Sequence, residues 1–156
     1  MSYETTEVPV WKSQGEITRL VMSKGGSGIG FMTAPPREGI EARVAIQGAD
    51  YVVRIWALCR EAPAKRRMGN RSWPEPTTAA WRAQFAEQER RRIWRVLYYY
   101  LKNAFECADS GVVELREILL PHIVMPDGAT IADHILPRLA EAVSGAPGRL
   151  LPEARP

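Results

Sequence analysis

Thr77 to Ala108 reads TTAAWRAQFAEQERRRIWRVLYYYLKNAFECA, followed by Asp109, Ser110 and Gly111. Its apolar positions Trp81, Phe85, Ile93, Val96, Leu97, Tyr100, Leu101, Ala104 and Phe105 fall three and four apart, the repeat of one helix face. Thr77 or Thr78 offers an N-cap oxygen and Gly111 a left-handed stop,. The spacing predicts one helix of about 45 Å at ~1.5 Å per residue. Arg90, Arg91, Arg92 and Arg95 crowd one turn of it, with Trp94, Tyr98 and Tyr99 beside them and off its main apolar stripe.

On the N-terminal side, residues 61–76 carry Pro63, Lys65, Arg66, Arg67, Arg71, Pro74 and Pro76 without periodicity, which predicts a basic loop. Before it, Ile40 to Ile46 alternates, with Ile40, Ala42, Val44 and Ile46 on one face. Tyr51 to Leu58 does the same, placing Tyr51, Val53 and Ile55 inward and Val52, Arg54 and Trp56 outward,. With Gly28–Thr33 as a first strand, these form a three-stranded antiparallel meander, turned at Ala34–Gly39 and Gln47–Asp50. Trp11 to Ser23 reads as a helix through Ile17, Leu20 and Val21, with Ser13 and Glu16 at capping-box spacing,. Residues 1–10 read as an arm.

On the C-terminal side, Val112 to Leu120 predicts a short helix. Pro126-Asp127-Gly128 predicts a turn between short strands,. Thr130 and Asp133 cap a last helix to about Ser144, with Ile131, Ile135, Leu136, Leu139 and Val143 as its apolar stripe and Pro137 as a kink or break,. Residues 145–156 read as a flexible Pro/Gly-rich tail,. The expected whole is a single α+β domain over residues 11–144.

The formal net charge of +3 conceals an asymmetry. Arg54 to Arg95 holds eleven basic and four acidic residues, and the remainder ten basic and fourteen acidic. Such a block suits a polyanion. No run nears the roughly 18–20 apolar residues of a membrane span. The polar, acidic start differs from a signal peptide. Cys59 and Cys107 read as reduced, buried thiols of a cytoplasmic protein,.

Catalytic patterns are missing. Gly25-Gly26-Ser27-Gly28-Ile29-Gly30 follows a helix and precedes a strand, the reverse of a phosphate-binding fingerprint,. His122, His134, Cys59 and Cys107 share no metal-ligand spacing, and there is no G-x-S-x-G elbow,. No cofactor or metal is expected. The remaining lead is arginine with aromatic rings, the combination that holds single strands through phosphate contacts and base stacking. Aromatic and arginine residues also mark protein interfaces.

Val8-Pro-Val-Trp-Lys-Ser-Gln-Gly-Glu-Ile17, the Arg90–Lys102 helix with Gly111 beyond it, and His122-Ile-Val-Met-Pro-Asp-Gly128 together resemble a group of small uncharacterised proteins of tailed phages and prophages. The resemblance implies a phage or mobile-element origin and the host cytoplasm, and carries no site residues. The order helix, meander, long helix is similar to the core of Rad52-like single-strand annealing proteins. That likeness implies a basic groove between sheet and helix, and homo-oligomers. The expectation is a non-enzymatic protein that binds or anneals single-stranded DNA. Arg54, Trp56, Arg90, Arg91, Trp94 and Arg95 would line its groove, with Lys65, Arg66, Arg67 and Arg71 closing over it. The alternative is a phage protein–protein module, a virion component or an inhibitor of a host enzyme, using the long helix as its interface.

Overall fold

The computed structural model describes residues 3–70 and 73–145. The elements run α1 (Val10–Ser23), β1 (Gly28–Ala34), β2 (Arg37–Ile46), β3 (Ala49–Leu58), β4 (Lys65–Arg66), β5 (Glu75–Pro76), α2 (Ala79–Asp109), α3 (Leu115–Leu119) and α4 (Ile131–Gly145). A 3₁₀ turn, Leu120–His122, follows α3. This is the expected α+β domain. The tail, residues 146–156, and Arg71 lie outside the described residues.

The long helix spans 31 residues. The Thr78 hydroxyl accepts from the Trp81 amide at 3.2 Å, so Thr78 is the N-cap. At the far end Gly111 adopts φ 74°, and the amides of Gly111 and Val112 reach back to Ala108 and Cys107, a Schellman stop. Helix α1 ends in the same way at Gly25, φ 81°, with the Gly26 amide on the Val21 carbonyl at 3.0 Å. The glycine run is thus a helix stop. Its other end corrects the sequence reading. Pro9 is the N-cap of α1, without a side-chain bond. Ser13 lies one turn inside, fully buried, its hydroxyl unpartnered among the described residues.

The sheet order is β1-β2-β3, antiparallel throughout. Strand β2 starts at Arg37, so the first turn shrinks to Pro35-Pro36. Gln47 (φ 51°) and Gly48 (φ 80°) make the second, a two-residue turn of the primed type that suits the twist of paired strands. Ile40, Ala42, Val44, Ile46, Val53 and Ile55 face Ile17, Val21, Ile93, Trp94, Leu97, Leu101 and Phe105 in the core. Helices α1 and α2 lie side by side in one direction, tied by the Glu16–Arg95 and Lys24–Asp109 ion pairs. They cover that single face. The opposite face stays open.

The basic loop is more ordered than its composition predicts. Lys65 pairs with Pro76 and Arg66 with Glu75, forming a small hairpin against the start of α2. The N-terminal arm is also docked: Tyr3 stacks on Tyr99 at 5.2 Å, and the Gln88 amide donates to the carbonyls of Glu4 and Thr6.

Residues 123–130 extend the sheet at the free edge of β3. Val124 donates to Val52 at 2.8 Å, and isolated bridges join Val53 to Ile123 and Val124 to Thr130. Gly128, φ 85°, completes the turn. Thr130 and Asp133 exchange side-chain and backbone bonds at the start of α4, the expected capping pair. Helix α4 continues through Pro137. Its stripe is not core: only Ile131 packs on the apolar cluster, while Ile135, Leu136, Leu139 and Val143 are exposed.

On the open face Gly39 stands opposite Trp56. A Cβ on Gly39 would lie 2.6 Å from Trp56 Cε3, so the glycine is the seat of the indole. Gly39→Ala is expected to displace the ring and lower stability by about 1–3 kcal/mol, the usual overpacking range. Gly30→Ala, whose Cβ meets the Glu41 carbonyl only at 4.0 Å, serves as the control. Equal melting temperatures for the two variants would disprove this packing.

Candidate nucleic-acid interface

The expected groove required cations from β3 and α2 on one surface. The structure separates them. Arg54 lies on the open face of the sheet, donating to Glu41 at 2.8 Å and to the Gly128 carbonyl at 2.7 Å. The α2 arginines lie on the covered side. Arg90 donates to Glu38 at 2.7 Å, and Arg95 pairs with Glu16 and sits 4.7 Å over the Tyr98 ring. Arg91 makes an i,i+4 pair with Glu87 at 3.3 Å. Trp94 is 0% exposed, with its indole nitrogen donating to Glu38 at 3.2 Å and Phe31 against its ring. Trp94 belongs to the core and presents no face for a base to stack on. Position 94 lies three residues from Leu97 and seven from Leu101, on the apolar stripe itself.

Two buried carboxylates organise this end of the molecule. Glu38 and Glu89 are each 2% exposed. Glu38 follows the inward parity of Ile40 and Ala42, and Glu89 falls four residues from both Phe85 and Ile93, so both interrupt apolar faces. Buried carboxylates need matched donors. Glu38 receives Arg90, Trp94 and Thr33. Glu89 receives the amide and guanidinium of Arg60 and the guanidinium of Arg92, between 2.6 and 3.2 Å. Burial alone would raise the Glu89 pKa, but the hydrogen bonds from Arg92 and Arg60 outweigh it and hold it at about 2. Cys59 lies nearby, its thiol pushed up by burial and then by Glu38 and Glu89. It therefore stays protonated and is a poor nucleophile. Cys107, expected buried, is exposed.

These carboxylates border an open cavity of about 550 Å³ between the β1–β2 turn, residues 59–62 and the first half of α2. Arg37 and Arg82 line it beside Arg60 and Arg90. Arg37 stacks 4.8 Å over Trp56, and Arg82 donates to the Thr77 carbonyl at 2.8 Å. One residue from Arg82, Trp81 carries the Arg66 guanidinium 4.5 Å above its ring. Lys65 and Arg67 flank Arg66 on the hairpin, and Trp73 before β5 is 82% exposed. Arg37, Lys65, Arg66, Arg67 and Arg82 have no carboxylate within ion-pair distance among the described residues.

The structure thus assembles part of the expected set. Lys65, Arg66 and Arg67 stand on or next to the hairpin, and Trp56 lies on the open face of the sheet under Arg37, which lines the cavity. Arg54, Arg90, Arg91 and Arg95 are engaged by carboxylates, and Trp94 is buried. Arg37, Arg82, Trp73 and Trp81 complete the surface. Sequence reasoning missed them because it followed the densest arginine run. Among the described residues no three His, Cys, Asp or Glu are placed to hold a metal ion, and no helix is long and apolar enough to cross a membrane. Comparisons of the chain with protein-family models, with curated proteins and with solved structures give no match.

Proposed function

We propose that this protein binds single-stranded nucleic acid, DNA by preference, as a non-enzymatic binding or annealing factor in phage or mobile-element DNA metabolism. The strand lies over the basic hairpin and the cavity mouth rather than along α2. One observation carries the reading: of the cations left without carboxylates, Arg37 lies over Trp56 and Arg66 over Trp81, with the exposed Trp73 on the same hairpin as Arg66. An arginine already paired with glutamate gives little to a phosphate, since the glutamate repels it. An unpaired arginine over an indole keeps its charge for a phosphate, and the exposed Trp73 offers a ring face for a base,. Phosphate neutralisation by up to five such cations sets a salt slope of up to about −3.5, at ~0.7 per phosphate for single strands. A labelled oligonucleotide titrated by fluorescence anisotropy between about 50 and 200 mM salt measures it. Absence of binding at the low end rejects the function.

A second reading, a protein–protein module, is favoured by α4 rather than by the long helix. Its apolar row is exposed. Antiparallel pairing of two copies about a centre between Leu139 and Ala140 sets Leu136 against Val143. The same centre sets Leu139 beside Ala140 of the other copy, so the apolar row closes on itself. The occupant is a second copy of this chain. Leu136→Glu is expected to shift sedimentation from dimer to monomer. Arg138→Glu, on the side of the helix turned away from that contact, leaves the dimer unchanged. A wild-type monomer at high concentration excludes this pairing.

A further inference from the structure

The cavity shares Arg37 and Arg82 with the strand-binding surface and adds a carbon wall to them. Its walls are of two kinds. Pro35, Pro36, Ala62 and Ala86 present carbon, and the arginines present forked donors. Four arginines and three glutamates line it, so the lining is positive by one. Glu38 and Glu89 are turned to Arg90 and to Arg60 with Arg92. Glu61 is exposed. The charge available to a ligand therefore resides on Arg37 and Arg82.

Those walls select a ligand class. A divalent cation meets four guanidinium groups, and two of the three carboxylates, Glu38 and Glu89, already hold arginines. A purely apolar molecule would strip water from arginines and offer nothing in return. Inorganic phosphate would satisfy Arg37 and Arg82 and leave the carbon wall wet. A flat, weakly polar ring joined to a phosphate matches both walls, and about 550 Å³ lies inside the range of ordinary ligand clefts.

We propose that the cavity between the Pro35-Pro36 turn and the first half of α2 binds one nucleotide through a terminal phosphate, held by Arg37 and Arg82, with its base on the proline and alanine wall. This deepens the strand-binding reading and rests on it for the ligand class. Arg82 lies next to Trp81 and Arg66, so a strand on the hairpin can lead its end into the cavity. The same chemistry serves a free nucleotide, and the test separates the two sources.

Adenosine monophosphate, inorganic phosphate, and oligonucleotides with and without a terminal phosphate are titrated against the full chain by calorimetry. Three variants accompany the wild type: Ala86→Trp to fill the cavity, Arg82→Gln to remove one fork, and Lys65→Ala with Arg66→Ala to strip the hairpin. Melting temperatures verify that each is folded, and Arg82→Gln decides if Ala86→Trp is not. The monophosphate is expected to bind at least about tenfold tighter than inorganic phosphate, with a loss of about tenfold or more in Ala86→Trp and Arg82→Gln. It should bind the hairpin variant normally. A terminal phosphate that strengthens oligonucleotide binding only while the cavity is open identifies a strand end as the ligand. Monophosphate binding without that difference identifies a free nucleotide. No monophosphate binding, or equal binding by the filled cavity, overturns the proposal while leaving strand binding to stand. If no oligonucleotide binds but the monophosphate does, the strand reading falls and the cavity remains a nucleotide site.

Discussion

Trp94→Ala is expected to destabilise the protein by about 3–5 kcal/mol, the range for removing a large buried aromatic side chain. The ring is wholly enclosed, and its loss also takes a donor from Glu38, a buried carboxylate that then keeps only Arg90 and Thr33. Trp73→Ala reverses the pattern. With the ring 82% exposed, its removal should leave the urea midpoint unchanged and weaken oligonucleotide binding by about 1–3 kcal/mol, one stacked base. Chemical denaturation of both variants, beside anisotropy titrations, separates structural from binding tryptophans. A stable Trp94→Ala protein with impaired binding would return Trp94 to the interface and refute its place in the core.

Glu89→Gln should cost about 3 kcal/mol at neutral pH, because Arg60 and Arg92 would lose the charge that both are built around,. The pH dependence gives a sharper signature. Glu89 titrates near 4.5 when unperturbed and at about 2 in the fold. A depressed carboxylate contributes stability that is complete above the unfolded value and is lost as pH falls towards the folded one. The window therefore runs from about 4.5 down to 2, and the difference corresponds to about 3–4 kcal/mol at ~1.4 per pH unit. Melting temperatures of the wild type should fall through that window, and those of Glu89→Gln should fall less. Parallel curves would mean that the Arg60–Glu89–Arg92 cluster makes no net contribution.

The parts of the fold legible in the sequence are those fixed by local chemistry. Helical spacing with Thr78 and Gly111 delimits α2, alternation defines β2 and β3, and Thr130 with Asp133 opens α4. Ser13 misled because a serine three residues before a glutamate has the same spelling inside a helix as at its start, and Pro9 capped the helix earlier. The site was less legible because charge pairing is long-range. Nothing local tells Arg90 that Glu38, 52 residues earlier, will neutralise it, or Arg95 that Glu16 waits across the helix pair. A cluster of arginines in sequence is therefore a poor map of available charge. Two signals were nevertheless present. Glu38 and Glu89 occupy positions whose parity or spacing demands apolar residues, and a carboxylate there implies buried donors. The row on α4 teaches a different limit: a pattern reveals which face is apolar, and not whether the same chain covers it.

The most direct measurement compares two sets of charge deletions in one oligonucleotide titration at fixed low salt. The first combines Lys65→Ala, Arg66→Ala and Arg67→Ala on the hairpin. The second combines Arg54→Gln and Arg91→Gln, arginines already held by Glu41 and Glu87. The unpaired set should weaken binding about a hundredfold, near 1 kcal/mol per lost phosphate contact, and the paired set by less than about twofold. Equal losses, or a larger loss from the paired set, would contradict the claim that this surface recognises a polyanion through the cations its own carboxylates leave free.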